Sequence, residues 1–339
     1  MSVSDLASTA QALVAPGRGI LAADESFPTI EKRFKSINVE STEENRRVYR
    51  QMLFTTPGAG DFISGVILFD ETLRQESDDG PSFAQVLVDA RMIPGIKVDK
   101  GAKAFAGHPG EKVTEGLDGL RDRLNEYREL GAQFTKWRAV ITIGDGIPSQ
   151  ACIAANAHAL ARFAVLSQEA GLVPIVEPEV LMDGDHGIER CEDVSAVTFK
   201  TVFSELFDQG VVLEEMLLKP NMVLSGKECS DQAGVDLVAE ATVRVLLRTV
   251  PAAVPGIVFL SGGQSAEEAT VHLNAMNALG SYPWQLSFSY GRALQAPCLE
   301  AWRGEDANLK AAQDALFHRA KCNGAARHGE YSREMEAAC

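Results

Sequence analysis

The chain has 339 residues, of which 45% are hydrophobic and 23% charged, a composition typical of globular proteins. This length suits either two domains or one large α/β barrel. The formal net charge of −15 disfavours nucleic acid and anionic membranes as partners, so an anionic substrate would need basic residues concentrated locally. No apolar run approaches the ~20 residues that span a bilayer, and residues 1–19 favour an amphipathic helix over a signal peptide.

Cysteine and histidine spacing restricts the chemistry further. The six cysteines contain no C-x-x-C pair, which predicts reduced thiols and a cytoplasmic location. The six histidines show no H-x-H or H-x-x-x-H spacing, and no G-x-G-x-x-G follows the first predicted strand. We therefore expect neither a bound metal nor a cofactor.

Strand-like and helical segments alternate along the whole chain. Strands are predicted at 19–24, 63–69, 93–99, 134–142, 173–179, 216–219, 256–263 and 285–291. This alternation predicts a parallel sheet with right-handed crossovers, and eight repeats favour a closed (β/α)8 TIM barrel. We expect a single domain over residues 1–339, with an N-terminal helix and a mobile C-terminal tail at about 323–339.

Two helix starts carry a capping-box pattern. Ser41 is followed three residues later by Glu44, and Ser265 by Glu268. In each pair the serine hydroxyl can accept from the glutamate backbone N–H, and the glutamate carboxylate can accept from the serine backbone N–H. The sequence therefore predicts helix N-termini at Ser41 and Ser265.

Seven of the eight predicted strands end on an ionisable or hydroxyl side chain. These are Asp24, Lys97 with Asp99, Lys136 with Arg138, Glu177 with Glu179, Lys219, Ser261 before Gly262 and Gly263, and Ser289 with Arg292. Residues two apart share one face of a strand, and barrel chemistry lies at the C-terminal strand ends. Each pair alone fits a surface ion pair or a solvated loop. Their joint placement at one end favours a site.

Lys219 ends an apolar strand and is the central candidate. A buried ammonium is costly unless it is paired, and a lysine held uncharged is the nucleophile that Schiff-base chemistry on a carbonyl requires. The alternative is a lysine that reaches out to water.

The glycines after Ser261 suit a phosphate, as helix N-termini do. Basic residues near the strand ends suit a small molecule with a phosphate at each end: Arg33, Lys97, Lys136, Arg138, Lys219 and Arg292.

Ten short segments together resemble a known enzyme family. They are ILAADES, EENRR, GIKVDKG, KWR, VPIVEPE, GDH, LLKPNM, FLSGGQS, FSYGRALQ and NLKAAQ. In this order, over residues 12 to 325, they resemble class I fructose-1,6-bisphosphate aldolase of the glycolytic kind. The resemblance implies a metal-independent enzyme that forms a lysine Schiff base. It would reversibly cleave fructose 1,6-bisphosphate to dihydroxyacetone phosphate and glyceraldehyde 3-phosphate, as a cytoplasmic homotetramer.

The resemblance also implies residue roles. Lys219 would form the Schiff base, Glu177 would act as general acid and base, and Asp24 would assist carbon–carbon cleavage near C4. Glu179 would support the lysine and its neighbours, and Lys136 matches the KWR pattern. The substrate and its phosphates would contact Ser26, Thr29, Arg33, Lys97, Arg138, Ser261, Gly262, Gly263, Ser289, Gly291 and Arg292.

Two segments depart from the family pattern. The family's ESTGS is ESFPT here, so Phe27 and Pro28 stiffen a loop of the second phosphate site, and Thr29 replaces a serine. Animal relatives end in a tyrosine that exchanges protons with the enamine, whereas this chain ends in REMEAAC. We expect Tyr331, a phosphate oxygen or water to supply that proton.

Two alternatives remain at this level. The substrate could instead be fructose 1-phosphate or sedoheptulose 1,7-bisphosphate, because the departure lies in the second phosphate site. A catalytically silent scaffold is the other alternative, and the presence of Lys219, Glu177, Asp24 and Arg292 weighs against it.

Overall fold

The computed structural model describes residues 5–337. Its strands are β1 Gly19–Ala23, β2 Ile63–Leu68, β3 Ile93–Lys97, β4 Ala102–Ala104, β5 Lys112–Thr114, β6 Phe134–Ile141, β7 Val173–Val180, β8 Leu217–Leu218, β9 Gly256–Phe259 and β10 Gln285–Tyr290. Eight parallel strands close into a barrel in the order β1, β2, β3, β6, β7, β8, β9, β10, while β4 and β5 form a separate antiparallel pair. The predicted single-domain (β/α)8 fold is confirmed.

The helices are α1 Asp5–Leu13, α2 Phe27–Lys35, α3 Glu43–Phe54, α4 Asp70–Leu73, α5 Phe83–Asp89, α6 Leu120–Glu129, α7 Gln150–Glu169, α8 Ile188–Asp208, α9 Val235–Thr249, α10 Ala266–Ala278, α11 Arg292–Trp302 and α12 Leu309–Ala326. Helices α2 to α10 lie between successive barrel strands, α1 precedes β1 at the N-terminal end of the barrel, and α11 and α12 follow β10. Within residues 5–337, no helix has both the length and the apolar character needed to cross a bilayer.

The N-terminal end of the barrel is filled with side chains. Leu13 and Val14, at the end of α1, pack with Phe134 and Leu217 in a buried apolar cluster inside the barrel. The ring of Phe134 fits because residue 95 is glycine, where a Cβ would lie 2.3 Å from the ring. The barrel is therefore closed at this end, and a ligand must approach from the opposite one.

The two predicted capping boxes have different outcomes. Ser265 and Glu268 form the complete reciprocal box at the start of α10, as predicted. The box at Ser41 is wrong, because α3 begins one residue later with Thr42 as its N-cap, whose hydroxyl accepts from the N–H of Asn45 at 3.1 Å. The segment holds two adjacent hydroxyl residues, and sequence spacing alone did not distinguish them.

The C-terminal segment has defined contacts. Residues 323–326 belong to α12, and Arg333–Ala337 form a short 3-10 helix. Tyr331 is buried, and its hydroxyl donates to Glu336 at 2.7 Å. The predicted mobility of residues 323–339 stays a prediction, and its last two residues lie outside the described part of the chain.

Candidate active site

A cavity of about 1360 Å³ opens at the C-terminal ends of the barrel strands. Every predicted site residue except Tyr331 lines it: Asp24, Ser26, Thr29, Arg33, Lys97, Lys136, Arg138, Glu177, Glu179, Lys219, Ser261, Gly262, Gly263, Ser289, Gly291 and Arg292. The rim of one barrel thus collects side chains from most of its strands. The strand-end pattern in the sequence predicted which residues meet.

Parallel pairing sets the height of each side chain above the barrel floor. Lys97 at the end of β3 is level with Lys136 on β6, and Arg138 is level with Glu177 on β7. The N–H of Lys219 donates to the carbonyl of Val176 at 2.8 Å, so Lys219 emerges beside Glu177. Because β6 and β7 extend beyond their neighbours, their inward residues reach into the cavity.

The floor of the cavity is a buried group of opposite charges. Nζ of Lys219 lies 3.2 Å from Oε1 of Glu177, and Nζ of Lys136 lies 3.3 Å from Oε2 of the same carboxylate. Lys136 also contacts Oδ2 of Asp24 at 2.7 Å. All four side chains are at most 12% exposed. One carboxylate therefore faces two amines within proton-transfer distance.

Burial and charge act in opposite directions on Asp24 and Lys136. Burial raises the pKa of Asp24, but the ammonium groups of Lys136 and Lys219 outweigh it, so the net pKa is well below its usual range. Burial lowers the pKa of Lys136, but Asp24 and Glu177 outweigh it and raise the pKa well above its usual range. At neutral pH, Asp24 is an anion and Lys136 a fixed cation.

Two further ion pairs surround this floor. Arg138 donates to the carboxylate of Glu179, and burial, which lowers the pKa of Arg138, is outweighed by that carboxylate. Nζ of Lys97 lies 2.6 Å from Oδ1 of Asp99. The described partner of Glu179 is thus Arg138 on the neighbouring strand.

One wall of the cavity is built for an anion. Gly262 follows Ser261 with φ +56°, a conformation that favours glycine, and its carbonyl accepts from the Arg292 guanidinium. Gly291 is the N-cap of α11, so the amide groups at that helix start face the wall. The buried Oγ of Ser289 has no hydrogen-bond partner within residues 5–337. A ligand oxygen here would satisfy that hydroxyl.

The neighbouring wall, after β1, contains the segment that departs from the family pattern; β1 pairs with β10, and the Arg33 guanidinium lies beside Gly291. Ser26 is the N-cap of α2, and its hydroxyl lies 3.3 Å from that of Thr29. Pro28 in the first helical turn carries no N–H, so this helix start offers fewer backbone donors than an ordinary one. Arg33 faces the cavity while paired with Glu25. Two hydroxyls and one guanidinium are available here for an anion.

Glu25 and Arg50 were not predicted from the sequence. The buried carboxylate of Glu25 forms ion pairs with Arg33 and Arg50. Nη2 of Arg50 lies 2.6 Å from Oε2 of Glu25. Burial raises the pKa of Glu25, but the two guanidinium groups outweigh it and the net pKa is lowered. Glu25 therefore stays ionised and fixes the position of Arg33 at the cavity wall.

The cavity is basic although the chain is strongly acidic. Twelve lysines and arginines line it, against seven aspartates and glutamates, while the whole chain has a net charge of −15. An anionic substrate needs basic residues concentrated locally in so acidic a chain, and the cavity provides that concentration.

A known protein family matches nearly the whole chain. The model of class I fructose-bisphosphate aldolase, of the glycolytic group, matches residues 5–339. The chain belongs to the class I fructose-bisphosphate aldolase family. The predicted resemblance and the predicted aldolase-type enzyme are both confirmed.

Relatives cover nearly the whole chain. A probable class 1 fructose-bisphosphate aldolase of Xanthomonas campestris is 60% identical, over 98% of this chain and 99% of that protein. The cytosolic fructose-bisphosphate aldolase 4 of Arabidopsis thaliana is 54% identical, over 98% of this chain and 85% of that protein. A solved structure of the Plasmodium falciparum fructose-bisphosphate aldolase is 52% identical, with a TM-score of 0.95 over 96% of this chain and 95% of that one.

Within this aldolase fold, one residue selected from the sequence lies away from the cavity, and one that was not selected lines it. Tyr331 lies against Glu336 and Asn274 and does not line the cavity. Lys227 does line it, with Nζ 3.1 Å from Asp183, and no sequence pattern selected it. Lys227 lies in the loop after β8, where no strand periodicity indicates side-chain direction.

Proposed function

We propose that this chain reversibly cleaves fructose 1,6-bisphosphate to dihydroxyacetone phosphate and glyceraldehyde 3-phosphate, through an imine between Lys219 and C2 of the sugar. The observation that carries the proposal is the placement of the Lys219 amine 3.2 Å from Glu177 on the floor of a basic cavity. Membership in the aldolase family supports the same reaction.

Imine formation needs a nucleophile and a proton carrier in contact. Glu177 takes a proton from the Lys219 ammonium, 3.2 Å away, and the freed amine attacks C2 and passes one of its protons to the new oxygen. Glu177 then protonates the carbinolamine hydroxyl, which leaves as water and gives the protonated imine. Lys136, held as a cation by Asp24 and Glu177, supplies fixed positive charge beside the reacting oxygen.

Carbon–carbon cleavage uses the same group of charges. Glu177, ionised again after the dehydration, accepts the C4 hydroxyl proton, and Asp24 assists beside C4. The C3–C4 electron pair moves into the protonated imine, and the aldehyde leaves. The remaining enamine takes a proton at C3, and water hydrolyses the imine to release the ketone. Tyr331, a phosphate oxygen and water stay the candidate donors, and Tyr331 would have to leave Glu336 to act.

The two cavity walls suit the two phosphates. One phosphate would contact Ser261, Gly262, Gly291 and Arg292, and the other Ser26, Thr29, Arg33 and Lys97. Fructose 1-phosphate and sedoheptulose 1,7-bisphosphate are the competing substrates. We expect fructose 1,6-bisphosphate to have a higher kcat/KM than fructose 1-phosphate, because Arg33 is held at the wall by Glu25. Equal values would contradict a functional second phosphate site.

Borohydride trapping tests the nucleophile and the substrate together. Reduction in the presence of fructose 1,6-bisphosphate should add the mass of a reduced triose or hexose phosphate to each chain, and peptide mapping should locate it on Lys219. Lys219→Met should abolish both trapping and cleavage. Lys227→Met, which removes another lysine of the cavity, should still be trapped.

Two results would overturn this assignment. If the reduced adduct lies on a different lysine, that lysine is the nucleophile. If the Lys219→Met enzyme cleaves the sugar as fast as the parent, the imine mechanism at Lys219 is excluded. A catalytically silent scaffold would gain no mass at all.

We further propose a cytoplasmic homotetramer. Relatives named as cytosolic support the location, and the tetramer follows the family resemblance. Phe207 on α8, at 81%, is the most exposed large hydrophobic side chain of the described residues, and we take it as the candidate contact with a partner subunit. Light scattering should give a mass of four chains of 36.5 kDa each. Phe207→Glu should reduce it, and a monomeric parent would contradict the proposal.

A further inference from the structure

Three side chains with metal-binding atoms meet outside the cavity, at the C-terminal end of the chain. His318 and Cys322 are four residues apart on α12 and therefore share one face of that helix. Glu336 approaches them from the short 3-10 helix Arg333–Ala337. One ligand atom from each residue lies within 4.8 Å of the other two.

Two of the three ligand separations match those of a tetrahedral zinc site. Zinc bonds of ~2.0–2.1 Å to nitrogen, ~2.3 Å to sulfur and ~2.0–2.2 Å to oxygen require ligand separations of about 3.6 Å for N···S and about 3.3 Å for N···O. Nε2 of His318 lies 3.6 Å from Sγ of Cys322 and 3.2 Å from Oε2 of Glu336. The third separation, between sulfur and the carboxylate oxygen, is within 4.8 Å, against about 3.6 Å in a tetrahedral site.

The surrounding groups orient the carboxylate for such an ion. Oε1 of Glu336 accepts from the Tyr331 hydroxyl at 2.7 Å, and Nη1 of Arg319 donates to both carboxylate oxygens. Oε2 faces His318. Hydrogen bonds to the free oxygen of a ligating carboxylate are a usual feature of metal sites, since they fix its direction.

Burial and charge also fit a divalent ion. Cys322 is buried, whereas the side chains of His318 and Glu336 are 15% and 18% exposed, which leaves an entry path and room for water as a fourth ligand. A thiolate and a carboxylate supply two negative charges, and the carboxylate shares its charge with the Arg319 guanidinium. The combination of sulfur and imidazole ligands favours zinc over calcium or magnesium.

We propose that His318, Cys322 and Glu336 form a zinc site that fixes the C-terminal segment to α12. The ion would join residue 336 to residues 318 and 322 by coordinate bonds, in addition to the existing ion pair with Arg319. This proposal concerns a part of the molecule that does not line the cavity, and it does not depend on the reaction assigned above.

Direct metal binding is the first test. Full-length protein is stripped with a chelator and titrated with Zn²⁺ against a chromophoric chelator, and separately with Co²⁺. We expect one ion per chain and a thiolate-to-cobalt charge-transfer band. Cys322→Ser, His318→Ala and Glu336→Gln should each weaken binding by at least about tenfold.

Matched controls remove the same residue types elsewhere. Cys298→Ser changes a buried cysteine of α11, and His158→Ala changes a histidine that pairs with Glu205. Both should bind Zn²⁺ like the parent. Each variant is first shown to keep the parental circular dichroism, so that a loss of binding reports the site and not unfolding.

A second readout follows the C-terminal segment itself. Zn²⁺ should raise the Tm of the parent but not of Cys322→Ser, because only the folded site binds the ion. Amide exchange of residues 327–337 should slow with Zn²⁺ in the parent alone. The proposal is overturned if no stoichiometric ion binds, if binding survives all three substitutions, or if the cobalt complex lacks the thiolate band.

Discussion

Ser287 and Ser289 lie two residues apart on β10, and their hydroxyls are in different situations. Ser287 donates to the carbonyl of Arg18 at 2.9 Å, whereas the buried Ser289 hydroxyl has no partner within the described residues and lines the cavity. A buried unpaired hydroxyl costs stability, and a ligand that pairs it recovers this cost on binding.

We therefore expect opposite results from two alanine substitutions. Ser289→Ala should leave the free energy of unfolding unchanged or higher and should raise KM. Ser287→Ala should lower the free energy of unfolding by about 1 kcal/mol and leave KM alone. Urea unfolding without substrate and steady-state kinetics measure both quantities. A Ser289→Ala enzyme that loses stability without a change in KM would show that its hydroxyl has only a structural role.

Asp24 gives a pH-dependent prediction. Its pKa is lower in the fold than its ordinary value of 3.8, because Lys136 and Lys219 outweigh the effect of burial. Such a carboxylate stabilises the fold above the unfolded value, and this contribution is lost as the pH falls below it. Asp24→Asn should therefore be less stable than the parent near neutral pH, and the difference should narrow as the pH falls through 3.8.

Urea midpoints between about pH 7 and about pH 3 test this dependence. Glu44→Gln is the control: a hydrogen bond from Arg47 also lowers the pKa of Glu44, but that carboxylate is exposed and solvent screens its charge. Its difference from the parent should stay small throughout. A pH-independent difference for Asp24→Asn would show that the substitution acts through packing alone.

The sequence predicts the cavity floor well because two regularities determine it. Period two places Lys136 and Arg138 on one face of β6, and parallel pairing brings all strand ends to one rim. Glu25 and Lys227 follow neither regularity. Their contacts depend on how the loops after β1 and β8 fold back on other elements, which residue spacing does not encode.

At the scale of single elements, two neighbouring hydroxyl residues at the start of α3 make different hydrogen bonds. Thr42 accepts from the N–H of Asn45, whereas the Ser41 hydroxyl has only a 3.4 Å contact with Arg46. Thr42→Ala should lower the free energy of unfolding by about 1 kcal/mol, and Ser41→Ala should have little effect. Urea unfolding of the two variants decides between them. The reverse order would restore the capping box predicted at Ser41.

Strand ends and short strands were the elements that the sequence predicted least well. β8 ends at Leu218, although the prediction continued to Lys219, and the adjacent Pro220 has no N–H for further sheet pairing. The β4–β5 pair was missed because its strands have three residues each, mostly polar or exposed. Neither strand is long enough to show a period.

At the scale of the whole molecule, the end of the chain is bonded to its beginning. The buried guanidinium of Arg327, just after α12, bonds the carbonyls of Val14, Ala15, Arg18 and Leu286 and the side chain of Gln285. These acceptors belong to the segment between α1 and β1 and to the start of β10. One side chain therefore links the first and last barrel strands at the closed end, away from the cavity.

Removing this guanidinium should destabilise the fold without changing the chemistry. Arg327→Met leaves several buried carbonyls without a donor, each costing about 1–3 kcal/mol, so the loss should be at least about 3 kcal/mol. Arg327→Lys keeps the charge but not the planar fork, and it should recover only part of that loss. Arg121→Met, which removes an exposed ion pair with Glu169, should leave stability close to that of the parent.

Urea unfolding and kcat at a temperature where all three variants are folded separate stability from catalysis. We expect an unchanged kcat for Arg327→Met, because neither Arg327 nor any of its hydrogen-bond acceptors lines the cavity. A fall in kcat with stability intact would mean that the closed end of the barrel influences the positions of Lys219 and Glu177 at the open end. In that case a change at the closed end of the barrel would be transmitted along the strands to the cavity, and the two ends would not be independent.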